Sequence, residues 1–84
     1  MSFSKQDFLL HARLDEDTLD VWIGEEWLLP DETPGFPVFS NADAARAKLI
    51  GELMNDLGVN HQGIGIILDL LDQMHSLRKA IKSR

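Results

Sequence analysis

The sequence predicts a mostly α-helical domain with four helices and a small β-hairpin. Apolar residues recur at helical spacing in four segments, and each segment begins at Ser, Asp or Asn, the residues preferred at helix starts. Residues 25–39, between the second and third segments, instead contain two short apolar runs separated by Pro34-Gly35. Because 84 residues supply only one small core, we expect residues 1–84 to form a single domain. Residues 1–39 would hold two helices and the hairpin, and residues 40–84 a C-terminal helix pair.

The first helix is predicted to begin at Ser4 and to end near Arg13. Ser4 and Asp7 have the spacing of a capping box, in which the side chain of each residue bonds the backbone N–H of the other. Phe8 and Leu9 supply the face that is directed to the core.

The second helix is predicted to run from Asp15 to Gly24. Its first turn carries three acids, which the helix dipole favours at that end: Asp15, Glu16 and Asp17. Its apolar face has the spacing i, i+3, i+4 and consists of Leu19, Trp22 and Ile23. We expect Gly24 to end the helix in the left-handed conformation. Only Arg13-Leu14 separates the two helices, which therefore form a helix-turn-helix.

Residues 25–39 are predicted to form the hairpin, which we call the wing. Its strands would be the runs Glu26-Trp27-Leu28-Leu29-Pro30 and Phe36-Pro37-Val38-Phe39. Pro34-Gly35 suits the two central positions of a type II turn, because proline fixes φ and glycine accepts a positive φ. Pro37 cannot donate a ladder hydrogen bond, so its strand must lie at an edge.

The last two helices follow a second capping signal. Ser40 with Asp43 begins a helix that Gly58 ends, and Asn60 caps a final helix that runs to about Lys82. That final helix has two apolar stripes: Ile64, Ile67, Leu68, Leu71 and Met74 or His75 on one side, and Ile66, Leu70, Leu77 and Ile81 on the other. A helix that is apolar on two sides packs against its own domain and against something else. We therefore predict a homodimer or another protein partner.

Composition excludes several classes of protein. The chain has no cysteine, so disulfide scaffolds, thiolate zinc sites, iron–sulfur clusters and cysteine nucleophiles are absent. Its net charge of −6 argues against direct nucleic-acid binding, which needs a basic surface. The start lacks the features of a signal peptide, and the apolar run over residues 63–70 is far shorter than the ~20 residues of a membrane helix. We expect a cytoplasmic protein without membrane association.

No motif predicts catalysis, a cofactor or a metal. The frame Gly58-Val59-Asn60-His61-Gln62-Gly63 has the glycine spacing of a phosphate loop, but Ile64-Gly65 follows where the lysine and hydroxyl residue should be. We therefore interpret it as a helix connection. His11, His61 and His75 do not have metal-ligand spacing, and the carboxylates lie on predicted exposed faces where nothing would raise a pKa. We expect that the protein is not an enzyme.

Acidic side chains dominate the second helix and the start of the wing. Six of them lie in residues 15–26, and no lysine or arginine occurs between Asp15 and Leu29: Asp15, Glu16, Asp17, Asp20, Glu25 and Glu26. Such a cluster is usually a solvated face, but the second helix of a helix-turn-helix is the one that enters the DNA major groove. Carboxylates there would be repelled by phosphates. We therefore predict a protein-binding surface made of these six acids with Trp27, Asp69 and Asp72.

The two tryptophans have different expected roles. Trp22 shares the apolar face of the second helix, and we assign it to the core. Trp27, at the base of the wing, fits equally well as a core residue or as an interface anchor, a role in which tryptophan is enriched.

The order of elements and several motifs resemble the MerR-like winged helix-turn-helix family. Glu26-Trp27-Leu28-Leu29-Pro30 is similar to its Glu…Gly-Leu-Leu…Pro stretch, and Phe39-Ser40-Asn41-Ala42-Asp43 to its Tyr-Ser-x-x-Asp. Leu57-Gly58-Val59-Asn60-x-x-Gly63-Ile64 is similar to its Leu-Gly-Phe-Ser-x-x-x-Ile. The chain departs from the family where DNA binding would occur, because the second helix and the wing lack arginine and lysine.

A closer resemblance, over nearly the whole chain, is to the CbpM-type chaperone modulators of that family. It is carried by Phe8-x-Leu10-His11-x-x-Leu14-x-Glu16-x-x-Leu19, by His61-Gln62-Gly63-Ile64 and by Leu70-Leu71-Asp72-x-Met74-His75-x-Leu77. The resemblance implies binding to the J-domain of a DnaJ-like co-chaperone, and inhibition of its work with a DnaK-type chaperone. J-domains dock their chaperone through a basic helix, which an acidic surface would complement.

Two alternatives remain open from the sequence. The first is a MerR-like DNA-binding regulator or excisionase-like accessory protein, whose DNA surface would come from the basic C-terminal residues of two subunits: Arg78, Lys79, Lys82 and Arg84. The second is a dimerisation module whose last helices pair with each other.

Overall fold

A computed structural model describes residues 2–82 of the chain. In chain order, its elements are β1 (Ser2–Ser4), α1 (Lys5–Ala12), α2 (Glu16–Gly24), β2 (Val38–Ser40), α3 (Asn41–Asn55) and α4 (His61–Lys82). The predicted fold class is confirmed: the protein is mostly α, with four helices and a small two-stranded sheet of the winged helix-turn-helix type. None of the helices described between residues 2 and 82 combines the length and the hydrophobicity needed to cross a membrane.

All four predicted helix starts are confirmed by side chains that accept backbone N–H groups. Ser4 accepts from Asp7 at 3.2 Å and Asp15 accepts from Thr18 at 2.7 Å. Asn60 accepts from Gly63 at 2.8 Å. At α3 the capping box is complete: Ser40 Oγ accepts from the Asp43 N–H at 3.1 Å, and Asp43 Oδ2 accepts from the Ser40 N–H at 2.9 Å. These contacts depend on neighbouring residues alone, so sequence spacing reveals them.

The sheet forms between partners that the sequence did not indicate. β2 pairs antiparallel with β1, which places Phe3 opposite Phe39, and not with residues 26–30 as expected. Those residues do not form a strand, because Trp27 and Leu28 turn inward and are buried. The wing loop is closed by one bridge, in which Asp31 and Val38 exchange N–H···O bonds of 2.9 and 2.8 Å.

Two predicted glycine positions need correction. Gly24 is the last residue of α2 and does not take a left-handed φ. Glu26 does, at φ 60°, because the Trp27 N–H bonds back to the Trp22 carbonyl at 2.9 Å and directs the indole inward. In the wing, the N–H of Gly35 donates to the Glu32 carbonyl at 2.9 Å, so the turn lies one residue earlier than predicted. Gly35 still supplies the positive φ, at 92°.

The core lies where the helices and the sheet meet. Its buried residues are Phe8, Leu19, Trp22, Trp27, Leu28, Phe39, Ala47, Ile50, Ile64 and Leu68. Phe8 of α1 stacks on Phe39 of β2 with ring centroids 4.3 Å apart, which joins the helix-turn-helix to the sheet. All residues from Asp69 to Lys82 are exposed, so the second half of α4 extends beyond the core.

Candidate functional site

The six acids predicted to bind a partner are all exposed, and they fall into two groups. Asp15, Glu16, Asp17 and Asp20 lie at or near the N-terminal end of α2. Glu25 and Glu26 follow its C-terminal end, where they approach α4. The structure therefore brings together only part of the predicted surface.

Most of the first group has local contacts. Asp15 caps α2, and its hydrogen bonds from Thr18 hold the pKa of this carboxyl below its usual value. Lys5 Nζ lies 3.4 Å from Glu16 and 3.5 Å from Asp20, which ties α1 to α2. Because these ion pairs are exposed, water and salt screen them and their contribution to stability is small. For Asp17, no ion pair is found within residues 2–82.

The second group borders an open cleft between residues 25–29 and the first half of α4, which we call the α2–α4 cleft. At one end, Nε2 of His61 lies 3.1 Å from Oε2 of Glu25. The imidazole also packs against Trp27, with ring centroids 4.6 Å apart. This end of the cleft is therefore held by contacts between its two walls.

Arg46 of α3 holds the other end of the cleft. Its guanidinium binds Asp72 through two parallel bonds of 2.8 and 3.0 Å, and its Nε donates to the carbonyl of Trp27. The same arginine holds the pKa of Asp72 below its usual value. Arg46 thus connects three segments of the chain: α3, α4 and the residues after α2.

The predicted site residues lie partly inside and partly outside the α2–α4 cleft. Glu25, Glu26, Trp27, Asp69 and Asp72 all line the α2–α4 cleft, whereas the four acids of the first group lie outside it. Trp27 is only 5% exposed, so the structure assigns it to the core, where it forms part of the cleft wall. Trp22 is also buried, which confirms its predicted core role.

Sequence reasoning missed the apolar part of the cleft. Leu29 is 70% exposed and Ile66 is 61% exposed, and both line the cleft beside the carboxylates. Ile66 belongs to the second apolar stripe predicted for the last helix, but no signal in the sequence connects it with Leu29. Arg46 was missed too, because its partners are distant in sequence.

Neither a cluster of metal ligands nor a buried polar side chain occurs in the part of the chain that the structure describes. Between residues 2 and 82, no group of three or more His, Asp or Glu side chains could hold a metal ion. Every buried side chain in this part of the chain is apolar.

Comparison with known proteins gives the family. The family model of MerR HTH regulatory proteins matches residues 3–83. Neither a comparison with curated proteins nor one with solved structures gave a match. Because the family match covers nearly the whole chain, and the fold has the helix-turn-helix and the small sheet, the chain belongs to the MerR HTH family of regulatory proteins.

Proposed function

We propose that this protein is a cytoplasmic chaperone modulator that binds the J-domain of a DnaJ-like co-chaperone. By occupying the basic helix of the J-domain, it would exclude the DnaK-type chaperone that docks there. It would act by binding alone, without catalysis or a cofactor.

The observation that carries the proposal is the exposed acidic surface on and after α2. In a helix-turn-helix that reads DNA, the second helix meets the phosphates, which carry one charge per ~1.7 Å of duplex axis. Here that helix and its N-cap carry no lysine or arginine, and they carry four carboxylates: Asp15, Glu16, Asp17 and Asp20. This charge disfavours DNA and favours a basic protein surface.

Calorimetric titration against J-domains from the same genome tests the proposal. We expect binding at low salt that weakens as salt rises, because charges separated by more than ~10 Å are screened at 0.1 M salt. A second assay measures the ATPase activity of the DnaK-type chaperone stimulated by the J-domain protein, which this protein should reduce. Absence of binding at low salt would refute the proposal.

DNA binding is a second candidate, supported by the family and by the basic end of α4. Arg78, Lys79 and Lys82 lie on that end, and Arg84 lies outside the described residues. Basic residues at this position also have a purely structural explanation, because cations stabilise the C-terminus of a helix. A gel shift with mixed-sequence DNA at about 50 mM salt, where phosphate contacts are strong, distinguishes the two functions.

We also propose a homodimer formed through the exposed half of α4. The large apolar side chains exposed there are Leu70, Leu71, Met74, Leu77 and Ile81. Contiguous apolar surface of this kind usually marks an interface. Light scattering should give twice the monomer mass, and Leu77→Glu should reduce the measured mass towards that of the monomer. A monomer at high protein concentration would contradict the proposal.

A further inference from the structure

The α2–α4 cleft has the composition of a binding interface. The exposed side chains of Leu29 and Ile66 line it together with four carboxylates. Surfaces that bind other proteins usually combine apolar contacts with charged side chains in this way.

Side-chain contacts join the two walls of the cleft. The contact between Glu25 and His61 holds one end, and Arg46 holds the other through Asp72 and the Trp27 carbonyl. Side chains that already have partners lose less conformational entropy when another molecule binds.

The charges of the cleft indicate the chemistry of its partner. Four carboxylates line it, against one guanidinium and one imidazole. Glu25 and Asp72 are already paired, whereas Glu26 and Asp69 have no ion pair with any residue between 2 and 82. These two carboxylates are available to lysine or arginine side chains of another molecule.

We propose that the α2–α4 cleft binds a basic amphipathic helix of the partner protein. An apolar side chain of that helix would sit between Leu29 and Ile66, and its lysine or arginine side chains would pair with Glu26 and Asp69. A helix fits better than an extended strand, because the cleft walls are a helix and a loop and offer no β-strand edge among the described residues. The inference rests on the proposed function, and it specifies where the J-domain helix docks.

Substitution of the apolar pair gives the first test. We expect Leu29→Ser with Ile66→Ser to weaken J-domain binding at least about tenfold, because central apolar contacts carry most interface energy. The matched control is Leu10→Ser with Leu57→Ser, two leucines that are 79% and 72% exposed and lie outside the cleft. Circular dichroism and melting temperature check that both variants are folded.

Reversal of the free charges gives an independent second test. Glu26→Lys with Asp69→Lys should weaken binding several-fold at low salt and less at high salt. Glu52→Lys with Asp56→Lys changes the net charge equally but away from the cleft, so it serves as the control. A weakening that is equal in both variants would overturn the inference, because it would reflect net charge alone.

A synthetic basic amphipathic helix of leucine and lysine serves as a second probe beside the purified J-domain. Loss of J-domain binding in the cleft variants alone supports the inference. If wild type and cleft variants bind the J-domain equally, the inference is overturned and the proposed function stands. If the J-domain never binds but the helix binds through the cleft, the proposed function fails and the inference stands. If neither probe binds, the inference is overturned. It is also overturned if the cleft substitutions convert a homodimer to monomers, because a second copy of the chain would then occupy the cleft.

Discussion

Two glycines near the start of α4 should respond in opposite ways to the same substitution. A Cβ atom added at Gly63 would lie 2.8 Å from Cγ1 of Val59 and 3.2 Å from Oδ1 of Asn60. A Cβ atom added at Gly65 would meet only Nε1 of Trp27, at an ordinary 3.8 Å. Gly63→Ala should therefore destabilise the fold, whereas Gly65→Ala should not.

The expected magnitudes follow from two opposing contributions. Replacing glycine with alanine inside a helix stabilises it by up to about 1 kcal/mol. The Gly65→Ala variant should gain most of this stabilisation. At Gly63, overpacking against Val59 costs about 1–3 kcal/mol, and displacing the Asn60 cap costs about 1 kcal/mol more. We expect the two variants to differ by about 2–4 kcal/mol, or roughly 8–30 °C in melting temperature for a domain of this size.

Urea unfolding followed by circular dichroism measures the difference without depending on the tryptophans. Val59→Ala in the Gly63→Ala background should restore part of the loss, because it removes the atom that the new methyl group meets. In the wild-type background, Val59→Ala should only destabilise. If Gly63→Ala is as stable as Gly65→Ala, the close approach at Gly63 is not what requires glycine there.

Three further predictions concern charge and capping. Asp17→Lys with Asp20→Lys should slow association with the J-domain at low salt by weakening electrostatic steering, and should lower the melting temperature only slightly, through loss of the exposed contact between Asp20 and Lys5; an unchanged association rate in stopped-flow measurements would show that these two carboxylates, which lie outside the α2–α4 cleft, do not steer the encounter. Asp72→Asn should cost about 0.5 kcal/mol or less, since the ion pair is largely exposed. The pKa of Asp72 in the folded protein lies below the unfolded value of 3.8, so this stabilisation is present above pH 3.8 and is lost as the pH falls further. Urea unfolding at several pH values should therefore show the free energies of unfolding of the wild type and the variant becoming equal in acid. Ser40→Ala should cost about 1 kcal/mol by removing the capping box of α3, with Ser76→Ala as the exposed control in thermal melts.

How far the sequence predicted the structure depends on the distance between interacting residues. Helix starts were correct because a cap joins residues three positions apart, as at Ser40 and Asp43. The pairing of β1 with β2 was missed, because three residues at the start of the chain carry no sign of their partner. The left-handed residue after α2 was misplaced because the burial of Trp27, and not the presence of glycine, decides where the chain turns.

The candidate site, too, was predicted from the sequence only in part. The acidity of α2 follows directly from the order of residues, and so does the contrast with a helix that reads DNA. The cleft does not follow from the sequence, because its walls are segments far apart in the chain that meet only in the folded structure. Leu29 and Ile66 have no relation in the sequence, and only their common position beside the carboxylates suggests a role.

The stacking of Phe8 on Phe39 has a consequence for the order of folding. The first two helices cannot complete their hydrophobic contacts until the chain has been synthesised beyond residue 39, since β2 supplies both the aromatic ring and the strand that β1 needs. A peptide of residues 1–24 should therefore be largely unfolded in water, and its far-ultraviolet spectrum should show little helix. In this protein the helix-turn-helix would be a product of the whole domain and not a unit that can be excised and transplanted.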